Sequence, residues 1–209
     1  MTETRVERKE RTRRAILDAA LLLCEDSTLM ALSLRQVAKE VGIVPTAFYR
    51  HFESIEQLGL ALVEESFVSL RAMIRDVRRR SDPQFRDLID GSVAVLVEHV
   101  RLQERHFAFI ARERFAGPPA VRDAITREIA LFERELATDL ARIPGTDAWS
   151  AEDLRILSNL IVNAMVATVE NVLAVRPGSD AERVIAHTAR TQLRMLIIGA
   201  LQWDSSRSR

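Results

Sequence analysis

Cysteine, glycine, proline and tyrosine are all scarce in this 209-residue chain, at one, seven, six and one. The lone Cys24 excludes an intramolecular disulfide framework and a multi-cysteine zinc site, and it suits a reducing compartment. Net charge is missing as well. Thirty basic residues balance thirty acidic ones, so no global field favours a polyanion and any nucleic-acid role must rest on a local patch. Lys9 and Lys39 are the only lysines. The N-terminus has no apolar stretch of the secretory kind. The longest uncharged apolar segment, 156–169, is too short for a bilayer and contains Ser158, Asn159 and Asn163. These absences predict a cytoplasmic, soluble protein without a membrane partner. Catalytic signatures are absent too. His51, His99, His106 and His187 are scattered without a His-Glu-x-x-His pair, and there is no phosphate loop or Gly-x-Ser-x-Gly elbow. The expectation is no enzyme, no metal site and no cofactor.

What is present is helical periodicity in a composition rich enough in apolar residues to fold. Ile16, Ala19, Ala20 and Leu23 form one stripe of a helix over 8–26. Ser33 opens a second helix, with Gln36 completing a capping box, and Gly42 closes it. Pro45 suits the first turn of a third helix reaching about residue 52. Ser54, Asp82-Pro83, Glu104, Ala120, Ser150 and Asp180 start six more, interrupted at Gly117-Pro118-Pro119, Pro144-Gly145 and Pro177-Gly178. The fold class is therefore all-α with about nine helices, and the Ser/Arg tail is expected to fray. The domain boundary falls between 1–53, a helix-turn-helix DNA-binding domain, and 54–209, an effector-binding and dimerisation domain.

Two short helices at 33–40 and 44–52, joined through Val41-Gly42-Ile43, have the outline of a helix-turn-helix. Val37, Val41 and Ile43 hold the pair together, and the second helix offers Thr46, Ala47, Tyr49 and Arg50 to a major groove. Ahead of them Arg5, Arg8, Lys9, Arg11, Arg13 and Arg14 outnumber Glu3, Glu7 and Glu10, as in an arm that reaches phosphates or the minor groove. By pattern alone a plain helical hairpin with a solvated Arg-rich end remains open. The residues Ser33-Leu-Arg-Gln-Val-Ala-Lys-Glu-Val-Gly-Ile-Val-Pro-Thr-Ala-Phe-Tyr-Arg-His-Phe52 closely resemble the signature of TetR-family transcriptional repressors. That resemblance implies a homodimer bound to double-stranded operator DNA. It places Ser33, Tyr49 and His51 on phosphates, Arg35, Pro45, Thr46 and Ala47 near base edges, and Phe48 and Phe52 in the core. One departure stands out: Glu53-Ser-Ile-Glu56 replaces the lysine that many members carry after the His-Phe pair, which shifts phosphate contacts toward the arm.

Two further stretches, 48–63 and 111–129, resemble the DesT/FabR-like branch, repressors of unsaturated fatty-acid synthesis and acyl-CoA desaturation. This implies a long-chain acyl-CoA-like effector. The residues are compatible with such a hydrophobic small molecule. Phe107, Phe109, Ile110 and Phe115, with Leu131 and Phe132, and with Val162, Met165, Val166 and Val169, can enclose an apolar slot. Sixteen carbons at ~0.8 kcal/mol each offer roughly 12 kcal/mol gross. Ordinary core packing would produce the same set. In Arg112-Glu113-Arg114 three successive charges cannot all face water, so one is expected to pair internally. Arg112 is read as the pocket-floor residue that links the effector to the first and fourth helices. The eighth helix is apolar on two sides, with Leu157, Ile161, Ala164 and Thr168 on one stripe. With Leu193, Leu196, Ile197 and Trp203 of the ninth it predicts a two-fold interface, against a centrally buried helix in a monomer. Two rival functions stay open: a repressor of a multidrug efflux gene that senses another hydrophobic ligand, and a helical lipid carrier or interaction protein that does not bind DNA.

Overall fold

The computed structural model describes residues 4–80, 85–142 and 149–204. Among them are nine α-helices: α1 (Arg5–Leu23), α2 (Leu34–Val41), α3 (Pro45–Phe48), α4 (Ile55–Arg80), α5 (Phe85–Leu102), α6 (Glu104–Ala116), α7 (Pro119–Leu140), α8 (Ala151–Leu173) and α9 (Asp180–Leu201). The all-α class is as the sequence predicts. The breaker residues Asp82, Pro83, Pro144 and Gly145 and the tail 205–209 lie outside the described residues.

Polar caps start the helices. Thr4 and Ser33 each form a reciprocal capping box, with Glu7 and Gln36 respectively. The hydroxyls of Ser54, Ser150 and Ser179 accept from the backbone N–H three residues on. Gly42 ends α2 with φ of 76°, a left-handed conformation that costs a side-chain-bearing residue steric energy.

Three local expectations change. The Arg-rich arm is not an extended arm: α1 begins at Arg5, because the Thr4–Glu7 box nucleates the helix ahead of the apolar stripe. The third helix is one turn, Pro45–Phe48, rather than a helix to residue 52. After it the backbone tightens, with Arg50 and His51 N–H groups donating to the carbonyls three residues back. A 3-10 turn at Leu29–Ala31, too short to show a period, joins α1 to α2.

The chain forms two compact units, Met1–Leu70 with Arg105–Thr126, and Arg71–Glu104 with Arg127–Arg209. This division differs from a cut after residue 53, since the first part of α4, α6 and the start of α7 belong with α1–α3. In the first unit Ile16, Ala20, Leu29, Val37, Phe48, Phe52, Leu58, Leu62 and Phe109 are buried. Each of the larger side chains among them contributes roughly 1.5–3 kcal/mol on leaving water. Gly59 of α4 lets Leu29 and Val121 come so close that any Cβ there would collide with them.

In the second unit α5, α8 and α9 pack on one another. Ile89 and Val93 of α5 meet Ala186, Ala189 and Leu193 of α9, while Leu140, Leu154 and Leu157 form a second cluster. Arg101 ties the ends of these helices together. Its guanidinium donates to Glu182 at 2.7 Å and to the carbonyls of Val172 and Val175 at 2.8 Å each. Glu182 also accepts from Gly178 N–H at 2.7 Å. That backbone bond, helped by Arg101, holds the Glu182 carboxyl below its ordinary pKa.

Candidate nucleic-acid interface

The helix-turn-helix is built from α2 and α3, which pack together while α2 also packs on α1. Phe48 and Phe52 anchor the reading turn from inside. Both are buried, with ring centroids 5.8 Å apart. Between and around them the chain turns outward: Val44, Pro45, Thr46, Tyr49 and Arg50 are exposed, and Ala47 is half-buried. Tyr49 stands edge-on to Phe48 at 6.2 Å. Arg35 is exposed on α2, and Ser33 caps that helix through its oxygen, which leaves its hydroxyl proton for a phosphate. The structure thus brings Ser33, Arg35, Pro45, Thr46, Tyr49 and Arg50 to the exposed surface of one small domain.

His51 sits differently, half-buried with its Nδ1 enclosed and unbonded. Burial lowers its pKa, and the positive charges of Lys9 and Arg13 lower it further. Arg13 does not extend toward solvent. It lies 4.4 Å over the Phe52 ring and donates to the His51 carbonyl at 3.4 Å. Arg14 is likewise turned onto the protein, 2.7 Å from Glu65 and 3.5 Å from Asp18. Of the basic residues at the N-terminus, these two therefore have partners within the protein, although the Arg14 side chain stays 60% exposed. Beside them a groove of 250 Å³ is lined by Arg13, His51, Phe52, Gln57, Leu60 and Glu64, among others.

The charged triplet of α6 reaches the same domain from its other end. Arg112 donates to the carbonyl oxygens of Cys24, Glu25 and Ser27, at 2.7 Å for Ser27 and 2.8 Å for Glu25. Carbonyls past the end of a helix lack intrahelical partners and carry its negative dipole end, so a guanidinium fits there. This revises the pocket-floor reading: the guanidinium is spent on the backbone carbonyls that follow α1. Glu113 is fully buried and accepts from Leu29 N–H at 3.0 Å, while its second oxygen has no partner. Burial raises its pKa, opposed by that N–H and by Arg112. Nearby Cys24 is buried, and its thiol is pushed up to about 12, chiefly by burial and then by the Glu113 carboxylate. It is a packing residue.

The remaining predicted residues divide between the units. Phe107 and Ile110 are buried in the first, and Phe132 is buried in the second. Val162, Met165, Val166 and Val169 are half-buried on α8, where Met165 packs against the α5–α9 core. The interface expectation needs revision. Leu157, Thr168 and Leu193 are buried within the protomer. Ile161, Leu196 and Ile197 pack on the same internal clusters, and Ala164 is half-buried. The physical reason is register: on helices apolar nearly all round, α5, α7 and each other's flanks take that stripe. Trp203 is exposed, and so are Ile156, Leu160, Met195, Ile198 and Leu201.

Residues 16–62 match the model of the family described as bacterial regulatory proteins, tetR family. Solved structures share the fold across most of the chain. The fatty acid degradation regulator FadR from Bacillus halodurans is 13% identical, with a TM-score of 0.69, over 92% of this chain and 97% of its own. FadR from Bacillus subtilis, solved in complex with stearoyl-CoA, is 14% identical at 0.67, over 88% and 96%. AibR, solved with isovaleryl coenzyme A and operator DNA, is 16% identical at 0.66, over 86% and 96%. At such identities the likeness is one of fold. With that match running from α1 into α4 and the turn at Pro45–Phe48 facing outward, this segment is similar to the DNA-binding helix-turn-helix of the bacterial regulatory proteins of the tetR family.

Proposed function

We propose that the protein is a dimeric, cytoplasmic repressor of lipid or fatty-acid metabolism genes whose grip on its operator answers to a long-chain acyl-CoA-like effector. Ser33, Arg35, Pro45, Thr46, Ala47, Tyr49, Arg50 and His51 form the DNA-facing set, and two such sets enter successive major grooves about 34–36 Å apart. The observation that carries the coupling is the grip of α6 on the α1–α2 connection through Arg112 and Glu113. Any shift of α6 is transmitted to the backbone of the reading domain through those bonds. The effector reading draws on Phe132, Val162, Met165, Val166 and Val169. It also draws on the stearoyl-CoA and isovaleryl-CoA held by the two fold relatives.

Dimerisation follows from uncovered apolar surface. By length and composition α8 could cross a membrane, yet Asn159 on it donates to Glu133 of α7 at 2.8 Å. Ile156 and Leu160, with Met195, Ile198, Leu201 and Trp203, are the residues a second copy would cover.

The test is a footprint on the gene's own upstream region with saturated and unsaturated long-chain acyl-CoAs. A protected near-palindrome whose occupancy changes with at least one acyl-CoA supports the reading, as does loss of that dependence in Arg112→Ala with operator binding retained. Occupancy indifferent to every acyl-CoA but responsive to hydrophobic drugs would move the effector class, and a 23.6 kDa species in sedimentation would remove the dimer.

A further inference from the structure

We propose that Arg13 is a positioning residue that sets the pitch of the reading turn, and is not itself a contact to a DNA phosphate. The inference rests on the reading of Thr46, Tyr49 and Arg50 as DNA-facing.

The reading turn is unusually dependent on outside support. α3 contains four residues, and a single helical turn has no cooperative length to stabilise it. Its pitch is therefore set by what holds its two ends. The start is fixed by the proline at Pro45 and by Gly42, whose left-handed backbone turns the chain out of α2. The end is fixed where His51 and Phe52 donate their N–H groups back to the Phe48 carbonyl, at 2.8 and 3.1 Å. Past that point the carbonyls have no helical partner, and the His51 carbonyl is one of them.

Arg13 addresses both features of this end together. Its guanidinium carbon lies 4.4 Å from the Phe52 ring centroid, and the same group donates to the His51 carbonyl at 3.4 Å. A planar cation can stack and donate in its own plane at once, whereas an ammonium cannot. One turn further into the core, Ile16 and Leu17 bury α1, so Arg13 is carried on a fixed helix. The neighbouring Arg14 reaches Glu65 of α4. Successive arginines of α1 thus reference the reading turn and the fourth helix to one axis. One guanidinium nitrogen is thus committed to the His51 carbonyl and the cation to the Phe52 ring, which separates half-buried Arg13 from the exposed Arg35 and Arg50 of the helix-turn-helix.

The two roles predict different responses to salt. A lost phosphate contact lowers the slope of log affinity against log salt by about 0.9 and is rescued by lysine. A lost positioning contact weakens binding at every salt concentration, leaves the slope unchanged and is not rescued by lysine. Operator DNA from the footprinted region is titrated with wild type, Arg13→Ala, Arg13→Lys and, as a DNA-facing comparison, Arg35→Ala. The expected result is roughly tenfold weaker binding for both Arg13 variants, the worth of one charge-assisted hydrogen bond, with the wild-type slope. Hydrogen exchange of the peptide covering residues 44–54 in the free protein is measured alongside. It speeds up in Arg13→Ala while α1 exchange stays as in wild type. Should that variant lose α1 protection as well, Arg13→Gln, which keeps a donor for the carbonyl but not the cation, is read instead. A slope reduced by about one unit, full rescue by lysine, or unchanged exchange over 44–54 overturns the proposal. Failure of the wild type to protect any site would instead remove the operator reading itself.

Discussion

Two glycine-to-alanine substitutions should move stability in opposite directions, and the reason lies in what surrounds each one. At Gly117, which follows α6, an added Cβ would stand 2.6 Å from the Glu113 carbonyl oxygen, 3.0 Å from its Oε2 and 3.3 Å from its Cβ. The first of these is backbone, so the turn must shift. That shift strains the Gly117 N–H bond to the Glu113 carbonyl and pushes on the carboxylate that accepts from Leu29. Overpacking costs about 1–3 kcal/mol, and a buried hydrogen bond left unmade costs another 1–3 or so. Against this, alanine stiffens the unfolded chain by about 0.4–1 kcal/mol. The net is a loss of roughly 3 kcal/mol, or a melting temperature lower by about 6–12 °C for a chain of this size. At Gly91 on α5 nothing lies within 4 Å of an added Cβ, and alanine is the better helix former by about 0.8–1 kcal/mol. Melting there should rise by about 2–4 °C. Thermal unfolding followed by circular dichroism at one protein concentration reads both. Equal shifts, or a Gly117→Ala protein as stable as wild type, would falsify the claim that α6 is locked to Leu29 at close range.

Arg101→Ala should destabilise the second unit, since it removes the cation from Glu182 and a charged donor from the carbonyls of Val172 and Val175; about 1.5–3 kcal/mol is expected, read as a lower urea midpoint. Glu113→Gln should change how stability depends on pH. Burial raises the folded pKa of Glu113, so its contribution is full below the ordinary carboxylate value and is lost as pH rises through the folded one. The urea midpoint of Glu113→Gln should therefore gain on wild type from pH 5 toward pH 8 or so; a constant difference across that range refutes the assignment.

Helix positions were legible because their signals are local. Ser33 with Gln36, Gly42, Pro45 and Ser150 each act within one turn of themselves, and each sits where the structure uses it. The burial of one charge in Arg112-Glu113-Arg114 was legible too, since three successive helical positions point about 100° apart and Glu113 is the one that is buried. What the sequence could not show was direction in space. Arg13 reads as one more positive charge until Phe52 and the His51 carbonyl are placed beneath it. On α8 the pattern marks two apolar stripes but not which one the chain covers for itself, so Leu157 and Thr168 were expected outside, yet both are buried while Leu160 is exposed. The 3-10 turn at Leu29–Ala31 was missed because three residues carry no period.

The brevity of the reading turn has a consequence for how such a protein changes over generations. Phe48 is the only residue of α3 buried in the scaffold, while Thr46 and its exposed neighbours Tyr49 and Arg50 owe little to it. The molecular address is thus written on a few detachable letters, and a lineage can redirect the protein to a new genomic location without rebuilding the frame that displays them.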